Sequence, residues 1–362
     1  YIKMSYKGKY KIGEILVYAV EKKASDIHIV AKFPANIRVN GQLIVTEFPE
    51  LSSDECKDLI YDILSPSQIK SFEEKKELDF SYGVSGLGRF RINLHYQRGS
   101  IGIAIRPIKD KIPTFAELGL PSDMLKKLLS QPHGLILICG PTGSGKSTTL
   151  ASMVEYLNQN FPMHIITIED PIEYIFKHKR SIVEQREIGI DTDSFNEALK
   201  RVLRQDPNVV LIGEMRDIET IEAALRIAET GHLVLATLHT GEVIQAMGRI
   251  VNSFSENLQQ TVKTQLSLVL LGVFVQQLLP KKDNRGRVLA TEIMITNSAI
   301  RNLIREGHFE QIYSQIQLGG ESGMRTMNSS LLSLYKNGLI SKDIALANSP
   351  NVKELKKLLG VT

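Results

Sequence analysis

Eight consecutive residues, Gly140-Pro141-Thr142-Gly143-Ser144-Gly145-Lys146-Ser147, follow the pattern G-x-x-x-x-G-K-[ST]. Glycines at its first and sixth positions let the backbone curl until several N–H groups converge on one phosphate. Lys146 can then reach the β- and γ-phosphates, and the Ser147 hydroxyl can bind Mg2+. Thr148 continues the cradle into the next element. An apolar run, Leu135 to Cys139, enters the loop and helix formers leave it, as phosphate binding at a helix N-terminus requires. The expected ligands are ATP and Mg2+.

Three further segments carry groups that could act on such a ligand. Val209 to Ile212 is a short apolar run followed by Gly213-Glu214. It has the layout of a strand ending in a carboxylate that holds or orients the metal. Glu214 has a longer arm than the Asp common at that point, so its contact to Mg2+ is expected to run through water. Ile165 to Ile168 leads into Glu169-Asp170-Pro171-Ile172-Glu173. Three carboxylates within five residues repel one another unless a cation or donors stand nearby, and one of them can serve as general base for an attacking water. Glu169 and Glu173 both qualify on these grounds. His232 and His239 bracket the run Leu233 to Leu238. Their odd separation puts them on opposite sides of an unbroken strand, which argues against a shared metal site.

These groups need a scaffold. Beyond Gly134, short continuous apolar runs alternate with helical patterns at 147–158, 194–203 and 217–229. That alternation implies an α/β core with a mainly parallel sheet buried on both faces and flanked by helices. From Glu256 onward helices dominate, apart from a strand at Arg287 to Met294. The first third reads differently: a helix over 13–21, short strands at 26–30 and 37–39, and a hairpin signal at Asn40-Gly41. A helix over 53–64 follows, then alternating strands at 89–96 and 100–105. Pro113, Pro121 and Pro132 break the periodicity in between. The expected domains are a smaller α+β unit over 1–107, a linker over 108–132 and the α/β unit over 133–362, its helical C-terminal region starting near 297.

Composition narrows the function classes. Forty-four Lys and Arg against 40 Asp and Glu leave a formal charge of +4, with no Trp and 6% aromatic residues. Nucleic-acid binding normally shows a clustered basic excess with stacking aromatics, so no nucleic-acid partner is expected. Apolar residues at 43% are ordinary for a globular chain. Cys56 and Cys139, the two cysteines, cannot form a four-cysteine metal site. The longest nearly apolar run, Leu266 to Val275, is about half the 20 residues of a spanning helix, so no transmembrane segment is expected. No signal-like segment opens the chain, and a cytoplasmic protein peripheral to a membrane is the expectation.

Taken in order, the phosphate loop, Glu169-Asp-Pro-Ile-Glu173, Ile212-Gly-Glu214-Met-Arg-Asp217 and Thr230-Gly-His232 to His239-Thr240 resemble the secretion-type hexameric ATPases of type II secretion and type IV pili. The segments correspond to that family's Walker A, Asp box, Walker B and His box. Ala24-Ser-Asp-Ile-His28 and Gly88-Arg-Phe-Arg-Ile-Asn93 resemble its N-terminal domain. Ala299-Ile-Arg-Asn-Leu-Ile-Arg-Glu306 is similar to a C-terminal segment of the pilus-retraction branch, and the lack of cysteine after Cys139 fits that branch better than the extension or secretion enzymes. The resemblance implies a RecA-like P-loop core, a PAS-like N-terminal domain and a homohexamer that docks on an inner-membrane platform protein. It implies that Glu173 is the catalytic glutamate, that Glu214 is the Walker B glutamate and that His232 and His239 act as the His box. It also implies that Arg91 and Arg106 close onto the nucleotide; a guanidinium is always charged and suits a transferred phosphoryl group. The expected function is an ATP-driven motor for pilus retraction and twitching motility. A pilus-extension or type II secretion ATPase, a DNA translocase and a nucleotide-gated scaffold are the alternatives.

Overall fold

The computed structural model describes residues 9–39, 41–108, 111–283 and 285–360. The chain divides into two compact units, residues 1–111 and 112–362. The first begins with α1 (Ile12–Glu21), whose Ile12, Ile15, Leu16 and Ala19 form one buried stripe. Strands β1 (Asp26–Ile29), β2 (Asn36–Val39) and β3 (Gln42–Val45) follow, then helices α2 (Ser53–Tyr61) and α3 (Pro66–Lys75). Ser52 with Glu55 and Ser65 with Gln68 form reciprocal caps at the two helix starts. Strands β4 (Glu77–Val84), β5 (Gly88–Gln97) and β6 (Ser100–Pro107) complete a six-stranded sheet in the order β3-β2-β1-β6-β5-β4. Every neighbouring pair in it is antiparallel. The hairpin joins β2 to β3 through Gly41, which takes φ +83°; its other turn residue, Asn40, lies outside the described residues.

The second unit runs α4 (Ser122–Leu129), β7 (Gly134–Cys139), α5 (Lys146–Asn160), β8 (His164–Glu169), β9 (Ile182–Glu187), α6 (Phe195–Val202), β10 (Val209–Ile212), α7 (Ile218–Glu229) and β11 (Leu233–Leu238). It continues with α8 (Val243–Asn252), α9 (Glu256–Val269), β12 (Leu270–Pro280) and β13 (Arg287–Ile295). Helices α10 (Ser298–Glu306), α11 (Ile312–Leu318), α12 (Met327–Lys336), α13 (Lys342–Ala347) and α14 (Val352–Leu359) close the described chain. The seven strands lie in the order β13-β12-β7-β11-β10-β8-β9. All neighbours from β12 to β9 are parallel and β13 is antiparallel. Side chains alternate between two cores: Leu135, Leu137, Val210 and Val234 enter one, Ile136, Ile138, Val209 and Leu235 the other. A strand buried on both faces has no polar positions, which is why these segments read as unbroken apolar runs. Among the described residues no helix is long and apolar enough to cross a membrane.

Two expectations need correction. The segment expected to be a linker, 108–132, contributes to the core of the second unit: Phe115, Leu120, Leu125, Leu128 and Leu129 are buried with Ile136 of β7 and Leu150 of α5. Its prolines mark the loops around α4 and do not mark a free tether. The apolar run after Leu266 is also not helical throughout, because the chain leaves α9 at Val269 and continues as β12. A short apolar run carries no period that separates buried helix from buried strand; the open edge of β7 decides it. Strands β4 and β9 likewise have too many polar residues to read as strands from sequence alone.

Candidate nucleotide site

β7 delivers the chain to Gly140, whose φ of +142° is open to glycine. A Cβ built there would lie 2.4 Å from the main-chain oxygen of Gln276 on β12 and 2.6 Å from Ser144 Oγ. No side chain fits. Gly145 stands at the N-cap of α5 without a side-chain cap, so the first-turn N–H groups remain available to an anion. Ser144 Oγ is buried and has no hydrogen-bond partner among the described residues. Lys146 is buried and folds back, donating from Nζ to the carbonyls of Gly140 at 2.8 Å and Pro141 at 3.0 Å. Burial pushes its ammonium below the usual lysine range, and the charges of Glu214 and Cys139 pull it part of the way back. An orphaned hydroxyl, an uncapped helix start and a hollow closed to any Cβ fit a phosphate group.

The first turn of α5 is tied to both sides. Thr148 Oγ1 and the Tyr174 hydroxyl share a hydrogen bond of 2.9 Å. Thr149 Oγ1 meets the fully buried side chain of Gln276, lying 2.8 Å from Nε2 and 3.2 Å from Oε1. Ser147 lies between the loop lysine and these anchors and is exposed.

Register brings the remaining groups to the same edge of the sheet. Leu238 pairs with Cys139, Ala236 with Ile212 and Ile212 with Ile168, so the chain emerges together at Gly140, Glu169, Gly213 and His239. Ligands in parallel α/β sheets sit beyond these carboxyl ends. Gly213 donates its N–H to the Ile168 carbonyl and accepts from Thr237 Oγ1 at 2.6 Å. Glu214 accepts from Arg216 at 2.9 Å through Oε2 and lies 3.2 Å from His239 Nε2 through Oε1. Burial raises the Glu214 carboxyl, but Arg216 and His239 outweigh that and hold it below the usual carboxylate range. Glu169 accepts from Thr167 Oγ1 at 2.6 Å and from Gln185 Nε2 at 3.3 Å. Burial still pushes its carboxyl up to about 7. Glu173, four residues on, is exposed. The Asp170-Pro171 bond between them is cis.

Residues 9–339 match the family described as type II/IV secretion system protein. The chain belongs to that family. It is 47% identical over 334 residues to the type IV pilus retraction ATPase PilT of Pseudomonas aeruginosa, covering 92% of this chain and 96% of the relative. It is 43% identical to the twitching motility protein of Neisseria gonorrhoeae, over 88% of this chain and 85% of that one. A crystal structure of the pilus retraction motor PilT with bound ADP superposes with a TM-score of 0.90 at 51% identity, over 96% of this chain and 99% of that one. This secretion ATPase is an ATP-hydrolysing enzyme with a RecA-like P-loop fold, a β-rich N-terminal region and a helical C-terminal region.

Within the second unit of the secretion ATPase, the structure gathers Gly140 to Thr148, Glu214 and His239 at one sheet edge and puts the acidic segment ending in Glu173 beside them. It does not bring His232 there. That residue precedes β11, where its Nδ1 meets the Ile227 carbonyl at 3.1 Å and Thr230 Oγ1 at 3.2 Å. The strand separates it from His239 by about 23 Å at 3.3 Å per residue. Arg91 and Arg106 belong to the first unit, directly opposite each other on β5 and β6. Arg106 donates to Asp26 Oδ1 from Nε at 2.8 Å and Nη2 at 2.6 Å. Burial raises the Asp26 carboxyl, yet Arg106 and Ser25 together hold it below its ordinary value. Sequence reasoning assigned no role to Arg216, Tyr174, Gln185 or Gln276. Arg216 and Tyr174 adjoin motif residues and were findable on that ground; Gln276 lies more than 120 positions from its partner and carries no local signal.

Proposed function

We propose that this chain is the Mg-ATP-driven hexameric motor that retracts type IV pili and powers twitching motility. The observation that carries the reading is the convergence of the phosphate loop, the acidic segment and the Glu214–His239 pair at one sheet edge. The chain's similarity to retraction ATPases over nearly its full length adds the cargo. Lys146 and the N–H groups of 143–148 hold the β- and γ-phosphates and stabilise the charge that develops on them. Ser147, and Glu214 through water, are the residues to hold Mg2+, which when bound neutralises phosphate charge. Glu173 takes the proton of the attacking water while the new P–O bond forms and the bond to the β-phosphate oxygen breaks. ADP then leaves with that oxygen. His239 reports the phosphate state to Glu214, and His232 is kept out of this chemistry.

Arg91 and Arg106 are proposed to draw the N-terminal unit toward the phosphates, so that hydrolysis releases it and the two units swing. Nucleotide then works through its differential contact with two states. In a homohexamer, held as a cytoplasmic, peripheral ring against the inner-membrane platform protein, successive swings pull pilin subunits back into the membrane. The absence of cysteine after Cys139 supports retraction over the extension or secretion roles, in which a four-cysteine metal module is expected. Steady-state ATPase assays of wild type beside Lys146→Ala, with mass measurement of the assembly, test the enzyme. A hexamer that turns over no ATP with Mg2+ would overturn the reading. In cells, loss of the gene should leave bacteria piliated and unable to retract, whereas bald cells would indicate extension.

A further inference from the structure

The acidic segment leaves β8 and runs alongside β9 without joining the sheet as a strand. Two β9 side chains on the same face hold it. Glu187 Oε2 accepts the Ile172 N–H at 3.2 Å. Gln185 reaches both ways along the segment: Nε2 donates to the Tyr174 carbonyl at 2.8 Å, and Oε1 accepts the Phe176 N–H at 2.9 Å. The same Nε2 lies 3.3 Å from Glu169 Oε1, so one amide joins the start of the segment to its far end. Glu169 is further supported by the main-chain N–H of Glu173.

These bonds fix a parity. Ile172, Tyr174 and Phe176 turn inward and are 2%, 5% and 8% exposed. In extended chain the intervening residues must then face out, and Glu173 does. A slip of one residue would bury the glutamate and expose the tyrosine. The inward Tyr174 spans to Thr148, one residue beyond the Ser147 proposed to hold Mg2+. The segment is thus pinned at once to the sheet and to the helix that begins at the phosphate loop.

We propose that Gln185 and Tyr174 are positioning residues for hydrolysis: they fix the face and height at which Glu173 stands beside the phosphate loop. The inference rests on Glu173 being the base. Apart from the Gln185–Glu169 contact, the bonds are made to main chain and to the Thr148 hydroxyl, so their loss moves the carboxylate while Lys146 and the N–H groups of the loop keep their places. A misplacement of about 1 Å from a mutation away from the chemistry can cost roughly 100-fold in rate. Nucleotide binding depends on the loop and stays.

The test measures Mg-ATP turnover and ADP affinity on the full chain in its native assembly for Gln185→Leu, Tyr174→Phe and Glu173→Gln. Gln185→Leu should lower kcat by about 10- to 100-fold and Tyr174→Phe by about 3- to 10-fold. KM and ADP affinity should stay within about twofold and the assembly mass should be that of wild type. Equal losses in kcat and ADP affinity, or unchanged kcat in both variants, would overturn the proposal. Should Gln185→Leu fail to fold, Tyr174→Phe decides alone, since it removes one oxygen atom. Glu173→Gln separates the two levels of the argument. If it turns over like wild type, the reading of Glu173 as base is lost. If it is inactive while both positioning variants are fully active, the reading stands and this inference is lost.

Discussion

Across the antiparallel sheet of the first unit, residues alternate between core and surface, so charged side chains can stand in its middle. Ile92 and Ile105 are buried, while their neighbours Arg91 and Arg106 lie opposite each other on the other face. In the parallel sheet of the second unit both faces are covered, and functional groups appear only where strands end. Gly140, Glu169, Glu214 and His239 all follow the last residues of their strands or close them. In the first arrangement a charged group of the face can be paired within its own sheet, as Arg106 of β6 is with Asp26 of β1. The second makes one edge the meeting point of four loops, so that residues distant in sequence depend on one another.

The largest effect should come from the strand-end site. Lys146→Ala should reduce kcat/KM for Mg-ATP by about 1,000-fold, as loss of a charge-stabilising donor does, with the melting temperature unchanged. Retained turnover would break the assignment of chemistry to that edge. Next in size, Arg91→Ala should lower kcat by about 100-fold, less than the roughly 1,000- to 100,000-fold that a phosphoryl-stabilising arginine finger contributes. Arg106→Ala should do likewise, while Asp26→Asn leaves turnover near wild type. If Arg106→Ala and Asp26→Asn behave alike, the arginine serves its own sheet alone and the contrast between the units sharpens.

Smaller still is the contrast between the two ends of β11. His239→Asn should lower kcat by about 10-fold through the lost partner of Glu214, since a hydrogen bond to a charged group contributes about 1.5–3 kcal/mol. His232→Asn should leave kcat within about twofold and lower the melting temperature by a few degrees, because it closes the turn at Ile227 to Thr230. The reverse result would move the chemistry to the other end of the sheet.

The least effect concerns Glu169. Its carboxyl is raised by burial from an ordinary 4.5 to about 7 in the folded chain, so the folded state binds the proton more tightly than the unfolded state. The penalty is absent below pH 4.5, grows as pH rises through 4.5 to 7, and is complete above 7. Glu169→Gln should therefore stabilise the chain by about 1–3 kcal/mol at pH 8 and by almost nothing near pH 4, at 1.36 kcal/mol per pKa unit. Chemical denaturation at the two pH values checks this; an equal gain at both would mean that ionisation is not the cause.

Much of the site was legible because its residues lie in short contiguous strings. A loop that wraps one phosphate must be built from consecutive N–H groups, so Gly140 to Ser147 carry the whole signal in eight residues. The carboxylates followed from apolar runs that stop at an acid. Gln276 and Gln185 were not legible, since an amide that braces a distant loop looks like any polar residue in a strand. The extent of the linker was misread for a related reason, although the first unit ends at 111, close to the 107 expected. Prolines at 113, 121 and 132 suggest a tether, and only the burial of Phe115 and Leu125 against Ile136 makes the segment core.

By itself the sequence determined the phosphate cradle, the alternation of strands and helices and the separation of a smaller first unit, because local backbone chemistry and hydrophobic period set them. Tertiary structure alone decided which histidine stands by Glu214, which side of the acidic segment Glu173 occupies and that Leu270 to Pro280 is a strand. Each of these depends on strand register and on partners far along the chain, and a local pattern contains neither.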